Sequence, residues 1–341
     1  MNLCSTDVFQ IYLVLTLACN LSCPHCIRSF SKNNSKDSID FNALSRIFKD
    51  INKIIPNVQL ILTGGEPTIH KDFFPIIELA LAEFKKVYIC SNGVINKDIL
   101  DKLCLNKNVT IQISLDGTKD IHDLIRGKGS FDHAIKTIKL LLEKEIPVMI
   151  SSTVNKNNIE SMFDLSNFLN KYNISLWQIK MEQTFSLAEN NKRLPIEDWN
   201  TFVDKIVHTS RKKLSIKKLY DFQLFNKMEQ KIGPEVLKKN IKNCGFCSSK
   251  LYIYPDLSVR ACTCMEKVIL GNFKQDSLED ILKVMKNTRK IIQIKEDSIC
   301  FSCKWNYLCN GGCPGYSLFF NESFGYGDIR CPLVREWYEN K

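Results

Sequence analysis

From residue 9 to about residue 181 the chain alternates short apolar runs with segments of helical period, six times in succession. The pattern predicts strands at Phe9–Leu17, Val58–Thr63, Val87–Cys90, Val109–Ser114, Val148–Val154 and Leu176–Met181. Between them Leu44, Ile47, Phe48, Ile51 and Ile55 recur at helical spacing, as do Phe131, Ile135, Ile138 and Leu142, and then Ile159, Met162, Phe163 and Leu169. Asp40, Asp72 and Ser130 stand where helix N-caps are expected. Repeated strand–helix units imply an α/β fold: a parallel sheet with right-handed crossovers, curling into a full or partial barrel. In such barrels the active site is built from loops after the carboxyl ends of the strands.

Beyond residue 181 the regularity ends. Glu182 to Arg193 is polar and reads as a linker, and a helix with Trp199, Phe202, Val203 and Ile206 on one face follows from Pro195. Arg211 to Lys242 is basic, and reads first as a solvated helical face with snorkelling lysines, second as a docking surface for an acidic partner. From Cys244 to Cys331 there are nine cysteines among short elements, so a second domain organised by metal is expected. The expected division is 1–194 for the barrel, 195–243 for a helical connecting region and 244–341 for the cysteine-rich domain.

Fifteen cysteines in 341 residues are too many for a chain with this much apolar periodicity to need as staples, which favours metal or redox use. The apolar run Val8–Ala18 ahead of Cys19 has the outline of an export signal, but Asp7 stands where a basic flank is required and Gln10 interrupts the run. No other segment approaches the roughly 18 apolar residues of a membrane span. A cytoplasmic protein without a membrane partner is expected.

Cys19, Cys23 and Cys26 form a Cys-x-x-x-Cys-x-x-Cys array directly after the first strand. A four-iron cluster normally takes four cysteines, so three close ones leave one iron open to a reacting ligand; zinc or a chance grouping is the alternative. Thr63-Gly64-Gly65-Glu66-Pro67, Ser91-Asn92-Gly93 and Ser114-Leu115-Asp116-Gly117 end the next three strands. Each reads alone as a turn, but together they describe one pocket on the rim that carries the cysteines.

In these motifs, over residues 9 to 181, the chain resembles the radical S-adenosylmethionine superfamily, whose fold is a partial (β/α)6 TIM-like barrel. The resemblance implies that Cys19, Cys23 and Cys26 hold a [4Fe–4S] cluster whose open iron is chelated by S-adenosylmethionine. It implies that Gly64, Gly65 and Glu66 lie near the amino group of that molecule and that His25 lies beside the adenine without binding iron. Thr63, Ser91, Asn92 and Ser114 are the implied ribose and carboxylate contacts, with Asp116 in the same set. Arg126, in Ile121–Gly127, resembles an arginine that pairs with the carboxylate, a solvent-facing arginine being the alternative.

Cys300-x-x-Cys303-x5-Cys309-x3-Cys313, followed by Cys331, resembles the SPASM extension of this superfamily. The resemblance assigns Cys300, Cys303, Cys309 and Cys331 to one auxiliary cluster. It assigns Cys262 and Cys313 to the other, with Cys244 and Cys247 completing it, or Cys264 in place of one of them. Leu257, after the Tyr254-Pro255-Asp256 turn, stands where the pattern prefers glycine. A double zinc module is the alternative. Three [4Fe–4S] clusters would lower the formal charge of +10 to about +5, which argues against a nucleic-acid partner. Four cysteines are then spare: Cys4, Cys90, Cys104 and Cys264. Cys90 and Cys104 suit packing as small hydrophobes, while Cys90 and Cys264 are candidate hydrogen-atom donors to a substrate radical.

By this resemblance the enzyme splits S-adenosylmethionine to a 5′-deoxyadenosyl radical, fed by a flavodoxin- or ferredoxin-type reductant, and abstracts hydrogen from a peptide substrate. Maturation of a ribosomally made peptide by a crosslink, thioether or related change is the first expectation. Thr263 follows Cys262 where sulfatase-maturing enzymes commonly place an aspartate, which lowers that second reading. A zinc-binding scaffold is the non-enzymatic one. Many peptide maturases carry an amino-terminal peptide-binding domain of roughly 80 to 90 residues. Only eight residues precede the first strand here, so the leader is expected to be held by a separate protein, by the basic 211–242 region, or not at all.

Overall fold

The computed structural model describes residues 8–28, 38–105, 107–184, 193–240, 244, 246–265 and 267–340. Cys4 and part of the polar linker after Glu182 lie outside them. The strands are β1 (Phe9–Val14), β2 (Val58–Thr63), β3 (Lys86–Ser91), β4 (Val109–Ser114), β5 (Val148–Val154), β6 (Leu176–Met181), β7 (Leu214–Ser215), β8 (Lys250–Ile253), β9 (Ser258–Arg260) and β10 (Ile269–Asn272). Helices α1 (Phe41–Ile54), α2 (Phe73–Glu83), α3 (Lys97–Leu103), α4 (Lys119–Arg126), α5 (Ser130–Glu143) and α6 (Ser161–Leu169) fill the crossovers. Then come α7 (Ile196–Thr209), α8 (Phe222–Ile232), α9 (Pro234–Asn240), α10 (Leu278–Ile291), α11 (Ile299–Ser302), α12 (Asn306–Cys309), α13 (Pro314–Asn321) and α14 (Pro332–Glu339).

All ten strands join one sheet in the order β10-β9-β8-β1-β2-β3-β4-β5-β6-β7. From β8 to β7 every pairing is parallel, so each strand end carrying a predicted motif lies on the same rim. Period-two alternation sorts the strand side chains: on β5, Val148, Ile150, Ser152 and Val154 are buried, while the intervening residues are half-buried on the other face. The sheet curls into a partial barrel: Lys180 on β6 feels the charge of Lys250 on β8, at the far side of the strand order.

Four of the six predicted strands keep their predicted bounds. The first is shorter, because after Val14 the chain leaves strand geometry and donates from Leu15 N to Thr63 O at 2.8 Å. Asp40 caps α1, its carboxylate accepting from Asn42 N, whereas Asp72 occupies the cap of α2 without a side-chain bond. Ser130 is the first residue of α5 rather than its cap. Gly129, at φ +83°, takes the cap position, and the Asp123 carboxylate collects the free N–H groups of Gly129 and Phe131.

The chain forms two compact units. The first comprises Met1–Glu182, Ile206–Ile216 and Ser249–Val284, so β8, β9 and β10 belong with the barrel strands. Leu257, in the turn between β8 and β9, takes φ +66°, the left-handed conformation in which glycine is the unstrained residue. The second unit comprises Gln183–Lys205, Lys217–Ser248 and Met285–Lys341. There the part of the basic segment that follows Ile216 is tied down by Leu237 on α9, which packs with Trp305 and Leu308, and by Phe222, Phe225 and Met228 on α8 against the same cluster. Among the described residues no helix is long and apolar enough to cross a membrane.

Candidate active site

The cysteine loop begins where β1 and β2 part. Gly65 N donates to Thr16 O at 2.8 Å and Glu66 N to Ala18 O at 2.9 Å, which fixes the backbone immediately before Cys19. The approach is so close that a Cβ on Gly65 would fall on the Ala18 oxygen, 2.6 Å from the Ala18 carbonyl carbon and 2.8 Å from Leu17 O. Gly64, at φ +156°, has Thr16 backbone in the same place. These two glycines therefore serve a backbone junction.

Glu66 is fully buried, and its carboxylate accepts from Asn92 N (2.8 Å), Thr68 N (3.2 Å) and Thr68 Oγ1 (2.7 Å). It ties the end of β2 to the end of β3. Asn92 in turn reaches the cluster loop, its Nδ2 donating to Asn20 Oδ1 at 2.7 Å and to Cys19 Sγ at 3.7 Å. Leu21 N adds a second donor to Cys19 Sγ at 3.4 Å, and Asn20 Nδ2 donates to Val94 O at 2.7 Å. Sequence reasoning missed Asn20; an amide next to the first cysteine of the array was the available signal.

Asp116 is the second fixed point. Its Oδ2 accepts from Arg126 Nε at 2.6 Å and faces His25 Nε2 at 3.2 Å, while Oδ1 accepts from Thr153 N at 2.8 Å. Burial pushes this carboxyl up, but Arg126, His25 and the Thr153 N–H outweigh it and hold Asp116 well below the usual carboxylate range. Arg126 is thus a buried cation on Asp116 rather than solvent-facing, and it also acts on the Cys23 and Cys26 thiols. His122 Nδ1 accepts from Asp116 N at 3.1 Å, and burial first, then Arg126, lower its pKa to about 4, so it is neutral at pH 7. Asn158, also unforeseen, donates to Asp116 O at 2.9 Å.

Thr63, Ser91 and Ser114 end β2, β3 and β4 on this rim; the first two are buried and Ser114 is half-buried. Ser91 Oγ accepts from Gly93 N at 3.0 Å. Cys19, Cys23 and Cys26 lie near enough for their charges to interact. Among the described residues no three His, Cys, Asp or Glu side chains crowd closely enough for one ion. A four-iron cube is a larger body that holds its thiolates at separate corners. The donor set suits it: three thiols on one loop, two N–H donors aimed at one sulfur, and an arginine beside the other two. Among the described residues the buried His25 Nδ1 has no hydrogen-bond partner, which leaves a polar atom for a bound ligand to satisfy.

In the second unit Cys300, Cys303, Cys309 and Cys331 line a single, nearly all-apolar cavity with Ile299, Leu333 and Val334. Burial pushes Cys300, Cys309 and Cys331 up to about 11, so loading a metal there must expel protons. Cys313 and Cys331 are the N-caps of α13 and α14, each followed by proline. Asp328, fully buried, accepts from Cys313 N (3.1 Å), Tyr220 Oη (2.6 Å) and Arg330 Nη2 (2.7 Å). Cys244 and Cys247 also belong to this unit. Cys262 and Cys264 belong to the first, where Cys264 N donates to Cys262 Sγ at 3.3 Å. Thr263 shares a hydrogen bond with Tyr254 Oη at 3.2 Å.

A parallel α/β partial barrel with three cysteines after its first strand and a glycine-glycine-glutamate junction beside them presents a site fit to hold a metal cluster. The family model described as Radical SAM superfamily matches residues 13–169, so the chain carries a radical SAM domain, which implies a [4Fe–4S] cluster and S-adenosylmethionine. It is 25% identical over 334 residues to mycofactocin maturase MftC of Mycolicibacterium smegmatis, covering 95% of this chain and 82% of that protein. It is 26% identical over 321 residues to a cysteine-type anaerobic sulfatase-maturating enzyme of Clostridium novyi, covering 86% and 84%. Among solved structures, Streptococcus suis SuiB bound to its precursor peptide SuiA superposes with a TM-score of 0.79 at 18% identity, over 95% of this chain and 76% of that one.

Proposed function

We propose that the protein is a radical SAM/SPASM peptide maturase that installs a crosslink, thioether or related modification in a ribosomally made peptide. The observation that carries this reading is the pairing of a three-cysteine rim in the barrel with four cysteines around one apolar cavity in the second unit. A mycofactocin maturase and a SuiB–precursor-peptide complex among the relatives support it. Three [4Fe–4S] clusters, a separate leader-binding protein, a flavodoxin- or ferredoxin-type reductant and a cytoplasmic setting belong to the same proposal. So does a division into barrel, connecting region and SPASM domain.

Cys19, Cys23 and Cys26 would hold the [4Fe–4S] cluster, which would supply the one-electron reduction needed for cleavage of S-adenosylmethionine. The chain's own residues hold that site. Asn92 and Leu21 fix the Cys19 sulfur, Asp116 fixes Arg126 beside Cys23, and the buried His25 Nδ1 is unsatisfied among the described residues. Cys300, Cys303, Cys309 and Cys331 would hold one auxiliary cluster. Cys313, Cys262, Cys244 and Cys247 would hold the other, with Cys264 the substitute for one of them.

Anaerobically purified protein is expected to be brown, to carry about 12 irons and to convert S-adenosylmethionine to 5′-deoxyadenosine under reduction. Cys303→Ala is expected to remove about four irons while leaving the others. A colourless, zinc-loaded protein refutes the whole reading, whereas an unchanged iron count in the variant refutes the second-unit cluster alone.

Burial pushes the Cys90 thiol up to about 11, which keeps its hydrogen on sulfur. We assign Cys90 and Cys264 as candidate hydrogen-atom donors. Alanine at each should change the product distribution seen by mass spectrometry, and an unaltered product from both variants removes the assignment. The sulfatase-maturating reading rests on the relative of that name; Thr263, bonded to Tyr254, offers no carboxylate at the expected position.

A further inference from the structure

Helix α12 has two working faces. Trp305 and Leu308, three residues apart and so on one side of the helical turn, pack with Leu237 in a buried apolar cluster. Asn306 and Cys309, again three apart, share the neighbouring side, and both line the cavity that Cys300, Cys303 and Cys331 also line. A single turn of helix thus presents an asparagine amide to the same space as the thiols. An apolar residue at 306 would match the rest of that lining.

Among the described residues, Tyr220 and Asn306 are the only ones besides the cysteines that bring a polar side chain to this cavity. Tyr220 Oη is committed elsewhere, donating to Asp328 Oδ2 at 2.6 Å. The Asn306 backbone is satisfied too: its N donates to Cys303 O at 3.0 Å, and its O accepts from Asn310 N at 2.8 Å. The side chain is different. Asn306 Oδ1 is buried and, among the described residues, has no hydrogen-bond partner. A buried amide left unmatched is costly, so this one marks a place for a group that the chain itself does not supply. Whatever fills the cavity meets four thiols. Four thiols around one apolar space are the donor set of a [4Fe–4S] cluster, and the sulfurs of such a cluster accept hydrogen bonds. The other end of the Asn306 amide carries two N–H donors, and a half-turn about the last side-chain bond exchanges oxygen for nitrogen.

We infer that Asn306 is a hydrogen-bond donor to the cluster held by Cys300, Cys303, Cys309 and Cys331, and that it raises the reduction potential of that cluster. The inference rests on the proposed second-unit cluster and adds a residue beyond the cysteines to its site. Reduction adds one negative charge to the cluster, so an N–H donor to its sulfur stabilises the reduced state more than the oxidised one. In the proposed reaction this makes the cluster a readier acceptor of the one electron that a substrate radical gives up on oxidation.

The test uses the full-length, cluster-loaded protein, prepared anaerobically and reduced with dithionite. The electron paramagnetic resonance signal that Cys303→Ala removes belongs to this cluster. In protein labelled with nitrogen-15 only at the asparagine side-chain amide, pulsed spectra should show a nitrogen-15 coupling on that signal, and Asn306→Leu should abolish it at an unchanged iron count. A redox titration of the same signal in Asn306→Leu should move the one-electron reduction equilibrium about tenfold toward the oxidised state, about 59 mV lower, with the other signals unmoved. Asn306→Asp, which brings acceptors and a negative charge, should lower it further. No coupling in the unsubstituted protein, or an unchanged potential in Asn306→Leu, overturns the inference. Should Asn306→Leu fail to load the cluster, the coupling in the unsubstituted protein decides alone. If Cys303→Ala removes neither iron nor signal, the second-unit cluster is refuted and the inference falls with it, whereas a removed signal that lacks the coupling refutes Asn306 alone.

Discussion

Replacing Gly65 by alanine is expected to cost about 3 kcal/mol of stability or more and to strip iron from the Cys19, Cys23 and Cys26 site. The added methyl would meet the backbone of Leu17 and Ala18, which cannot rotate away as a flexible side chain can. Relief requires opening the junction, which breaks the bonds from Gly65 N to Thr16 O and from Glu66 N to Ala18 O. Cys19 follows Ala18 directly, so the displacement passes into the cluster loop, and the fully buried Glu66 carboxylate loses its alignment with Asn92 N. Urea unfolding and iron per chain check this. An alanine protein with an unchanged midpoint and full iron would show that the junction yields at no cost.

Asp116→Asn has a comparable expected effect by a different route. It leaves the Arg126 guanidinium buried without its charge partner, a loss of about 3–5 kcal/mol. Removing both charges in Asp116→Asn with Arg126→Met should cost less than the two single changes added, because the stranded cation is gone. The pH dependence has a definite sign. His122 binds fewer protons folded than unfolded between its ordinary 6.5 and about 4, so stability should fall as pH falls through that window. Asp116 is held well below its ordinary 3.8, so its contribution is complete above that value and is lost only as pH falls below it. Denaturant midpoints from pH 7 to 3 should show His122→Gln flattening the upper part of the decline alone.

The barrel was legible because its evidence is local. β2, β4, β5 and β6 are short runs rich in apolar and β-branched residues, broken only by single or paired polar side chains, and alternation with helical segments leaves few topologies open. The site was legible in part. Cysteine spacing and strand-end motifs marked the rim, but Asn20 and Asn158 act through contacts 72 and 42 residues distant, which no local pattern encodes. Arg126 was open between two fates because only folding decides whether Asp116, ten residues before it, turns toward it. The joining of β8, β9 and β10 to the barrel sheet was hidden for a related reason. Lys250–Ile253 is four residues long, and nothing within it specifies β1 as its partner.

That pairing has a consequence for synthesis. β1 leaves the ribosome well before β8, and one of its two edges is satisfied only by β8, some 240 residues later. Until Ser249 and the residues after it emerge, the nascent barrel presents Gln10 to Leu13 as an unpaired strand edge, a template for pairing with other chains. The late arrival of β8 therefore makes completion of the barrel a timing problem, and chains halted before it are the ones expected to aggregate.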